Sequence, residues 1–495
     1  MFYRYILLNF AIICSANFNA LNAQNFLFSK NKFNLKSGFV LSSGKYSPFL
    51  LRSNVYGLIP LVSQIGYISG DIQLEYDSLY TINKKLKPFG LGYGFSPHIN
   101  YGKQNQILIP ELYVKFRFKV LEIYVGRRKE IQGLVDTVAT MGSYSWSGNA
   151  LPLPKIQLSI PNYIPFLASG LISIKGHFAH GWLGSGDSVQ NVLLHQKSLY
   201  LRIGKSIWNV KMYGGFNHQV QWGGKPNFPF FDNISQQKIS NYGTDFNSFL
   251  KVATGVSLSK SGTAPNQQSG VPGNESTNRV GNHLGTIDLG LELEFSKIRL
   301  FLYKQSLFDD GSLFYLNNIS DGLYGVSFKF KKNKPTLSGI NFEVLNTTNQ
   351  GGKLGPENGL GVPELRGLDN YFNNSIYWDG WTYKNSTLGS PYLLNDAPNV
   401  LPFKKINGWN IINNKVFVFS TSFYGKLQEL GYLIRIAKGN NFGLLTNSKK
   451  YQQYYFSSEL NKLKNNYKYS LKVLGDFGEV YQNNLGINCE ITKYF

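Results

Sequence analysis

The sequence predicts an all-β fold, a transmembrane antiparallel β-barrel with long extracellular loops. Three observations carry this prediction. Apolar and polar residues alternate along many segments, for example over 111–118 and 287–295. Charged residues make up only 16% of the chain, while aromatic residues reach 15%. After residue 23, no apolar run approaches the roughly 18 residues that a membrane helix requires.

The alternation alone leaves two architectures open. A soluble β-sandwich shows the same pattern, with a dry inside and a wet outside. The predicted strands are about 9 to 12 residues long, which matches a tilted crossing of a membrane. The last one places Leu485, Ile487, Cys489, Ile491 and the terminal Phe495 on one face. A final strand that ends in an aromatic residue is typical of bacterial outer-membrane barrels, so the sequence favours a barrel with its apolar face outward.

The N-terminus has the pattern of a signal peptide. Arg4 precedes the apolar run from Tyr5 to Cys14, and a cleavage point follows Ala23. We therefore expect a signal peptide over 1–23 and a barrel over 24–495, located in the outer membrane. Cys489 is then the one cysteine left, so no internal disulfide is expected.

Two tight turns predict pairing and orientation. Two-residue turns at 119–120 and 296–297 would pair Arg117 with Glu122 and Glu294 with Arg299 on the polar face. Short turns lie on the periplasmic side of such barrels, which places the longer connections outside. The predicted outer loops are 129–149, 183–193, 309–321 and two long ones at about 223–285 and 348–408. At roughly 25 to 28 residues for each strand and its connection, residues 24–495 allow about 16 to 18 strands.

Charge and motifs limit the function. A net charge of +22 indicates an anionic partner: nucleic acid, an anionic membrane surface or an acidic polysaccharide. No nucleic-acid motif is present, so we expect no nucleic-acid partner. GxSxG, GxxxxGK[ST], HExxH and CxxC motifs are also absent, and His177 and His180 would face opposite sides of a strand. We therefore expect no enzyme activity, no catalytic residues, no metal site and no cofactor.

The predicted outer segments are rich in tryptophan. Trp146, Trp182, Trp222, Trp378, Trp381 and Trp409 occur there beside Asn, Gln, Asp, Arg and Tyr. Aromatic rings flanked by planar hydrogen-bonding groups form carbohydrate-binding surfaces. For any single one of these tryptophans, the aromatic girdle at the membrane interface of a barrel is the favoured explanation. The set at 378–381 lies deep in a long loop and indicates a packed plug or a binding surface.

Several segments resemble a known family. They are Trp146–Ile156, Gly176–Trp182, Leu194–Gly204 and Tyr213–Gly224, with Pro48–Asn54 and Gly126–Glu130 upstream and Tyr303–Gln305, Asp321–Leu323, Asp369–Asn374 and Gly380–Tyr383 downstream. In this order they resemble the capsule assembly outer-membrane barrel family Wzi, in its Bacteroidetes form, over residues 45 to about 400. The resemblance implies an 18-stranded barrel and a non-enzymatic, lectin-like role that holds capsular polysaccharide or exopolysaccharide at the cell surface.

The expected function is therefore to bind and anchor surface polysaccharide through the outer loops, by many weak contacts along a repeating polymer. The expected partners are this polysaccharide, outer-membrane lipid and lipopolysaccharide. The predicted polysaccharide-binding residues are Arg127, Arg128, Asn149, His180, Trp182, Gln221, Trp222, Tyr371 and Trp381. The alternative is a substrate-specific porin or a polysaccharide export channel, which predicts an open lumen where the lectin predicts a blocked one.

Overall fold

The computed structural model describes residues 31–76, 88–167, 169–233, 236–256, 279–309, 313–331, 336–352, 367–397, 402–444 and 449–495. The predicted signal peptide over 1–23 lies outside these residues, as do parts of both long loops. Within the described ranges, no helix combines the length and the apolar character that crossing a membrane requires.

Long antiparallel strands dominate the structure. The barrel strands are β1 (Asn31–Ser42), β2 (Ile65–Leu74), β3 (Phe89–Gly102), β4 (Gln106–Phe118), β5 (Leu121–Arg127), β6 (Lys155–Pro165), β7 (Ile172–Gly184), β8 (Val192–Ile203), β9 (Val210–Trp222), β10 (Asn282–Glu294), β11 (Ile298–Phe308), β12 (Gly322–Phe330), β13 (Leu337–Asn346), β14 (Val416–Leu427), β15 (Leu430–Asn441), β16 (Tyr451–Lys464), β17 (Tyr467–Gly478) and β18 (Asn484–Tyr494).

These strands form one closed sheet of 18 strands, as predicted. Each strand pairs with its neighbours in the sequence, and β1 pairs with β18 from Asn34↔Tyr494 to Ser42↔Gly486. Because the sheet is closed, the backbone N–H and C=O groups that would be unpaired on an edge strand are hydrogen-bonded. That pairing is the condition for a sheet to cross a hydrocarbon layer.

The wall separates an apolar exterior from a polar interior. On β4, Leu112, Val114 and Phe116 point outward and are exposed, whereas Lys115 and Arg117 point inward and are buried. A soluble sandwich would bury the apolar face instead. The apolar surface of this sheet is outermost, so the closed sheet is an outer-membrane barrel and the predicted location in the bacterial outer membrane is confirmed.

The two predicted hairpins are confirmed. β4 and β5 pair Arg117 with Glu122, and β10 and β11 pair Glu294 with Arg299. Arg299 Nη2 lies 2.7 Å from Glu294 Oε1. The connections at 428–429 and 465–466 are equally short and lie at the same end, together with both described termini, so this end is the periplasmic one.

The remaining elements are short and lie in the connections at the outer end. Helix α1 spans Phe49–Arg52, and helix α2 spans Phe246–Thr254. Small two-stranded sheets pair Val189–Gln190 with Lys225–Pro226, Phe230–Asp232 with Gln237–Ile239, Thr382–Tyr383 with Ser386–Thr387, and Leu394–Asn395 with Ile411–Asn413. Some of these connections fold into the barrel, and α2 packs on its outer wall.

Because the outward face is the lipid face, the cost of a charge there should depend on depth. We expect Leu289→Arg, in the middle of β10, to lower the free energy of unfolding by about 2–4 kcal/mol, and Leu427→Arg, at the periplasmic end of β14, by about 0–1 kcal/mol. Both leucines are exposed on the outward face. Denaturant titration in lipid vesicles measures the two costs. Equal costs would contradict the assigned lipid face.

Candidate functional site

The lumen contains a plug made of three connections, 43–64, 128–154 and 367–415, of which residues 398–401 lie outside the described residues. Its centre is a group of buried rings, which comprises Tyr144, Trp146, Tyr371, Phe372 and Trp381. Residues 129–149 of the second connection were predicted as an outer loop. This connection does leave and re-enter the wall at the outer end, but its chain folds inward. The buried polar side chains of the wall supply the hydrogen bonds that this inward path requires.

Segment 128–154 crosses the lumen and is held on the far wall. The backbone N–H of Leu134 donates to Asp288 of β10 over 2.8 Å. The carboxylate of Asp136 accepts from Ser327 of β12 and lies 3.2 Å from Lys329 Nζ. These contacts attach Leu134 to β10 and Asp136 to β12, well away around the barrel from β5 and β6, where the segment begins and ends.

The tip of the segment is attached to one carboxylate. Glu343 of β13 accepts from Thr140 Oγ1 over 2.6 Å and from the backbone N–H of Met141 over 2.7 Å. Tyr303 of β11 donates to the same carboxylate over 2.6 Å. Glu343 is buried, so losing its partners would leave a charge without compensation. It is therefore the main anchor of the tip.

Segments 128–154 and 367–415 form a common layer in the lumen. Trp381 Nε1 donates to the Ser145 carbonyl over 2.7 Å, and the backbone N–H of Ser390 donates to the Tyr144 carbonyl over 2.7 Å. Asn149 Nδ2 donates to the Thr387 carbonyl over 3.0 Å. Side-chain amides and indole nitrogens therefore satisfy the irregular backbone of both segments.

Ion pairs hold the beginning of segment 128–154 against the near wall. Arg128 Nη1 lies 2.7 Å from Glu122 of β5, and Lys155 Nζ of β6 lies 2.6 Å from Glu130. Burial alone would raise the pKa of Glu130. The adjacent Lys155 ammonium outweighs burial, so the pKa of Glu130 is below its usual range.

A polar cavity of about 290 Å³ lies on the outer side of the plug. Arg52 and Lys384 are its cations, and the side-chain amides of Gln104, Asn149 and Asn385 also line it. No carboxylate is among its described lining residues. The cavity therefore presents positive charge and hydrogen-bonding groups to the extracellular side.

A second cavity of about 290 Å³ lies on the periplasmic side of segment 128–154. Its lining includes Lys175 and Arg299 together with Asp136 and Glu292. The Lys175 ammonium lies 6.0 Å from the ring centroid of Tyr163, which also faces this cavity. Charges of both signs line this side, whereas the outer cavity has cations alone. Polar space therefore exists on both sides of the plug.

Six of the predicted polysaccharide-binding residues lie on the inside of the barrel or contact the plug. Arg128 pairs with Glu122, and Arg127 Nη2 lies 3.3 Å from the Tyr383 hydroxyl. Gln221 Nε2 donates to the Gly380 carbonyl over 3.0 Å. The others, Asn149, Tyr371 and Trp381, belong to the plug, where both rings are buried. Asn149 is the member of this group that also lines the outer cavity.

The other three, His180, Trp182 and Trp222, lie on the outward face of the wall. Trp182 is exposed on β7, whereas Trp222 is buried beneath α2. The structure therefore does not bring the nine residues into one surface, and polysaccharide binding by them stays a prediction.

Sequence reasoning missed the residues that hold the plug. Asp288 and Glu343 stand at polar positions of the alternating strands β10 and β13, and this was the available signal. The alternation predicts that both side chains face the lumen, but it does not predict whether water or a folded connection lies beside them. Arg52 and Lys384 carry no periodic signal because they lie in connections.

No family model matches the chain, and no curated protein matches it in sequence. Solved structures that are similar include Pseudomonas aeruginosa OccK5 (OpdH), at 9% identity, a TM-score of 0.43 and coverage of 94% of this chain and 97% of that one. OpdQ of the same organism is 10% identical, with a TM-score of 0.45 and coverage of 94% of this chain and 98% of that one. Acinetobacter baumannii OccAB4 is 9% identical, with a TM-score of 0.45 and coverage of 94% of this chain and 97% of that one. At these values the likeness carries no conclusion about function.

The expected membership of the Wzi family is wrong. No family model supports it, and the similar solved structures are of Occ and Opd proteins, none of them named as a Wzi protein. Local packing explains residues that carried the resemblance. Gly223 and Gly224 adopt φ values of +64° and +98°, and a Cβ on Gly215 would clash with the Tyr200 ring. Such glycines meet conformational needs of a packed wall and do not identify a family.

Removing the tip anchor should free the plug. We expect Glu343→Ala to destabilise the local attachment of residues 138–142 by about 1–3 kcal/mol, because Thr140 and Met141 lose a buried acceptor. Hydrogen exchange of this peptide measures the effect. Glu490→Ala, at an inward carboxylate that bonds Tyr67 instead, is the matched control. Unchanged exchange in Glu343→Ala would contradict the anchor.

The Glu130–Lys155 pair should make the start of the segment sensitive to acid. Because the folded state lowers the pKa of Glu130, the pair stabilises the fold above the unfolded glutamate value of about 4.3. That contribution is lost as the pH falls through the lowered value. We expect protease access to residues 128–135 to rise over that range in the native chain. Glu130→Gln should reduce the step, and an identical step in this variant would exclude Glu130 as its origin.

Proposed function

We propose that the chain is a selective outer-membrane channel for small polar solutes, whose lumen is narrowed by its own inward connections. The observation that carries the proposal is segment 128–154, which is attached across the lumen and has a polar cavity on each side. A barrel that served only as a surface scaffold would not need polar space on both sides of its plug. The proposal involves no catalytic step.

The outer cavity supports a preference for solutes that carry an anionic group. Arg52 and Lys384 supply positive charge there without a lining carboxylate, and the surrounding amides can bond hydroxyl or carbonyl groups. Arg52 lies over the rings of Phe49 and Tyr481, with its Cζ 5.4 Å and 5.3 Å from the centroids. These rings would hold its guanidinium in place while it contacts a solute.

A second candidate function is retention of an extracellular polysaccharide at the same outer cavity. Asn149 favours it, because this predicted binding residue lines the cavity together with Asn385 and Lys384. The two functions differ in their consequences. A channel passes ions and small solutes across a bilayer, whereas a polymer-binding barrel retains its ligand on one side without conductance.

Planar bilayers test the channel. We expect the native protein to give small single-channel currents, and Trp146→Ala with Trp381→Ala to raise the conductance several-fold by opening the packed centre of the plug. Trp208→Ala, at an exposed periplasmic turn, is the matched control and should behave like the native protein. Arg52→Ala with Lys384→Ala should lower the ratio of anion to cation permeability.

Silent bilayers for both the native and the Trp146→Ala/Trp381→Ala proteins, with folding verified by heat-modifiable migration, would contradict the channel. Retention of a labelled polysaccharide by the same silent protein would then favour the second candidate.

A further inference from the structure

Helix α2 lies on the outside of the barrel, against the wall formed by β7 to β10. The carboxylate of Asp245 accepts from the backbone N–H groups of Asn247 and Ser248 and begins the helix, and Gly255, at φ +68°, ends it. The ring of Phe249 lies 5.8 Å from His180, 5.8 Å from His195 and 6.0 Å from Trp222, measured between centroids. All three partners occupy outward positions of their strands.

The helix begins where the apolar belt ends. Leu199 and Ile287 belong to one outward row and are exposed, as lipid-facing residues are. Four residues further toward the extracellular end of each strand, the outward positions are polar in three strands out of four. They are occupied by His180 on β7, His195 on β8, Val220 on β9 and His283 on β10, which pair across the sheet. In the row between, Lys197 Nζ donates to the carbonyl of Ala253 in the helix. The helix thus covers polar wall positions at the level of the membrane interface.

Three faces of α2 meet three environments. Ser248, Phe249 and Val252 face the wall, and Val252 packs against Val220 and Trp222. Phe246 and Leu250, four residues apart, form an exposed apolar face. Asn247, Lys251 and Thr254 form a polar face beside it. An apolar face next to a face that carries a cation is typical of a helix that lies in a membrane interface.

We propose that the Phe246–Leu250 face of α2 binds the outer leaflet of the membrane, inserting among the acyl chains of lipopolysaccharide while Lys251 meets its phosphates. We choose lipid as the partner because the exposed face of α2 is continuous with the lipid-facing surface of the strands below it. The face lies immediately above the lipid belt of the same strands, so lipid that covers Leu199 and Phe178 also reaches the helix. The contact would hold α2 on the wall and is independent of what passes through the lumen.

Nitroxide labels test the contact. In a chain with Cys14 and Cys489 replaced by Ser, a label is attached at Leu250→Cys or, as the matched control, at Asn247→Cys on the polar face. Both sites are exposed, so the labels should be tolerated. Leu201→Cys, in the lipid belt, supplies the reference for a lipid-embedded site. Each protein is reconstituted into vesicles containing lipopolysaccharide, and accessibility to oxygen and to a water-soluble nickel complex is measured.

We expect the ratio of oxygen to nickel accessibility at position 250 to be several-fold above that at 247 and close to that at 201. Lys251→Gln should lower the ratio at 250 in lipopolysaccharide vesicles. Equal ratios at 250 and 247 would overturn the proposal, because both faces would then be in water. An unchanged ratio in vesicles of zwitterionic phospholipid alone would overturn lipopolysaccharide as the specific partner.

Discussion

The architecture depends on buried hydrogen bonding between the inner wall and a chain segment that crosses the lumen. An irregular segment inside a barrel must satisfy its backbone N–H and C=O groups, since water is excluded from most of its length. The wall supplies these partners from inward positions of its strands. Glu343 holds the tip of segment 128–154, Gln305 accepts from the backbone N–H of Tyr144 over 2.9 Å, and Asp288 holds Leu134.

This attachment determines what the lumen can do. The attached segment fills the centre of the lumen and leaves polar cavities on its two sides, with cations outside and charges of both signs toward the periplasm. Within the lipid belt, the same strands present an apolar face to lipid. Because successive side chains of a strand point to opposite faces, an alternating sequence places apolar residues against lipid and polar residues in the lumen. The plug and the lipid belt are two consequences of one pattern.

Much of the barrel was predictable from the sequence. Alternation and tight turns predict the strands, the pairings Arg117↔Glu122 and Glu294↔Arg299, and the orientation. The paths of the connections were not predictable, because contacts between residues far apart in sequence decide them. Trp146 and Trp381 are buried in the plug, Trp182 is exposed on the wall and Trp222 lies beneath α2, although all four stand in similar surroundings in the sequence. The short motifs that resembled the Wzi family predicted the wrong family, because glycine and aromatic residues recur wherever the wall of a barrel is tightly packed.

The most direct test of the account is a cross-link inside the lumen. Ser145 Oγ lies 2.7 Å from Asn217 Oδ1 of β9, so Ser145→Cys and Asn217→Cys, in a chain lacking Cys14 and Cys489, place two thiols together. Mass spectrometry after mild oxidation in the outer membrane would identify the disulfide. The account predicts nearly complete cross-linking, with none when Asn217→Cys is replaced by Asn461→Cys near the periplasmic end of β16. Absence of the 145–217 disulfide in folded protein would contradict a segment attached to the inner wall of the lumen.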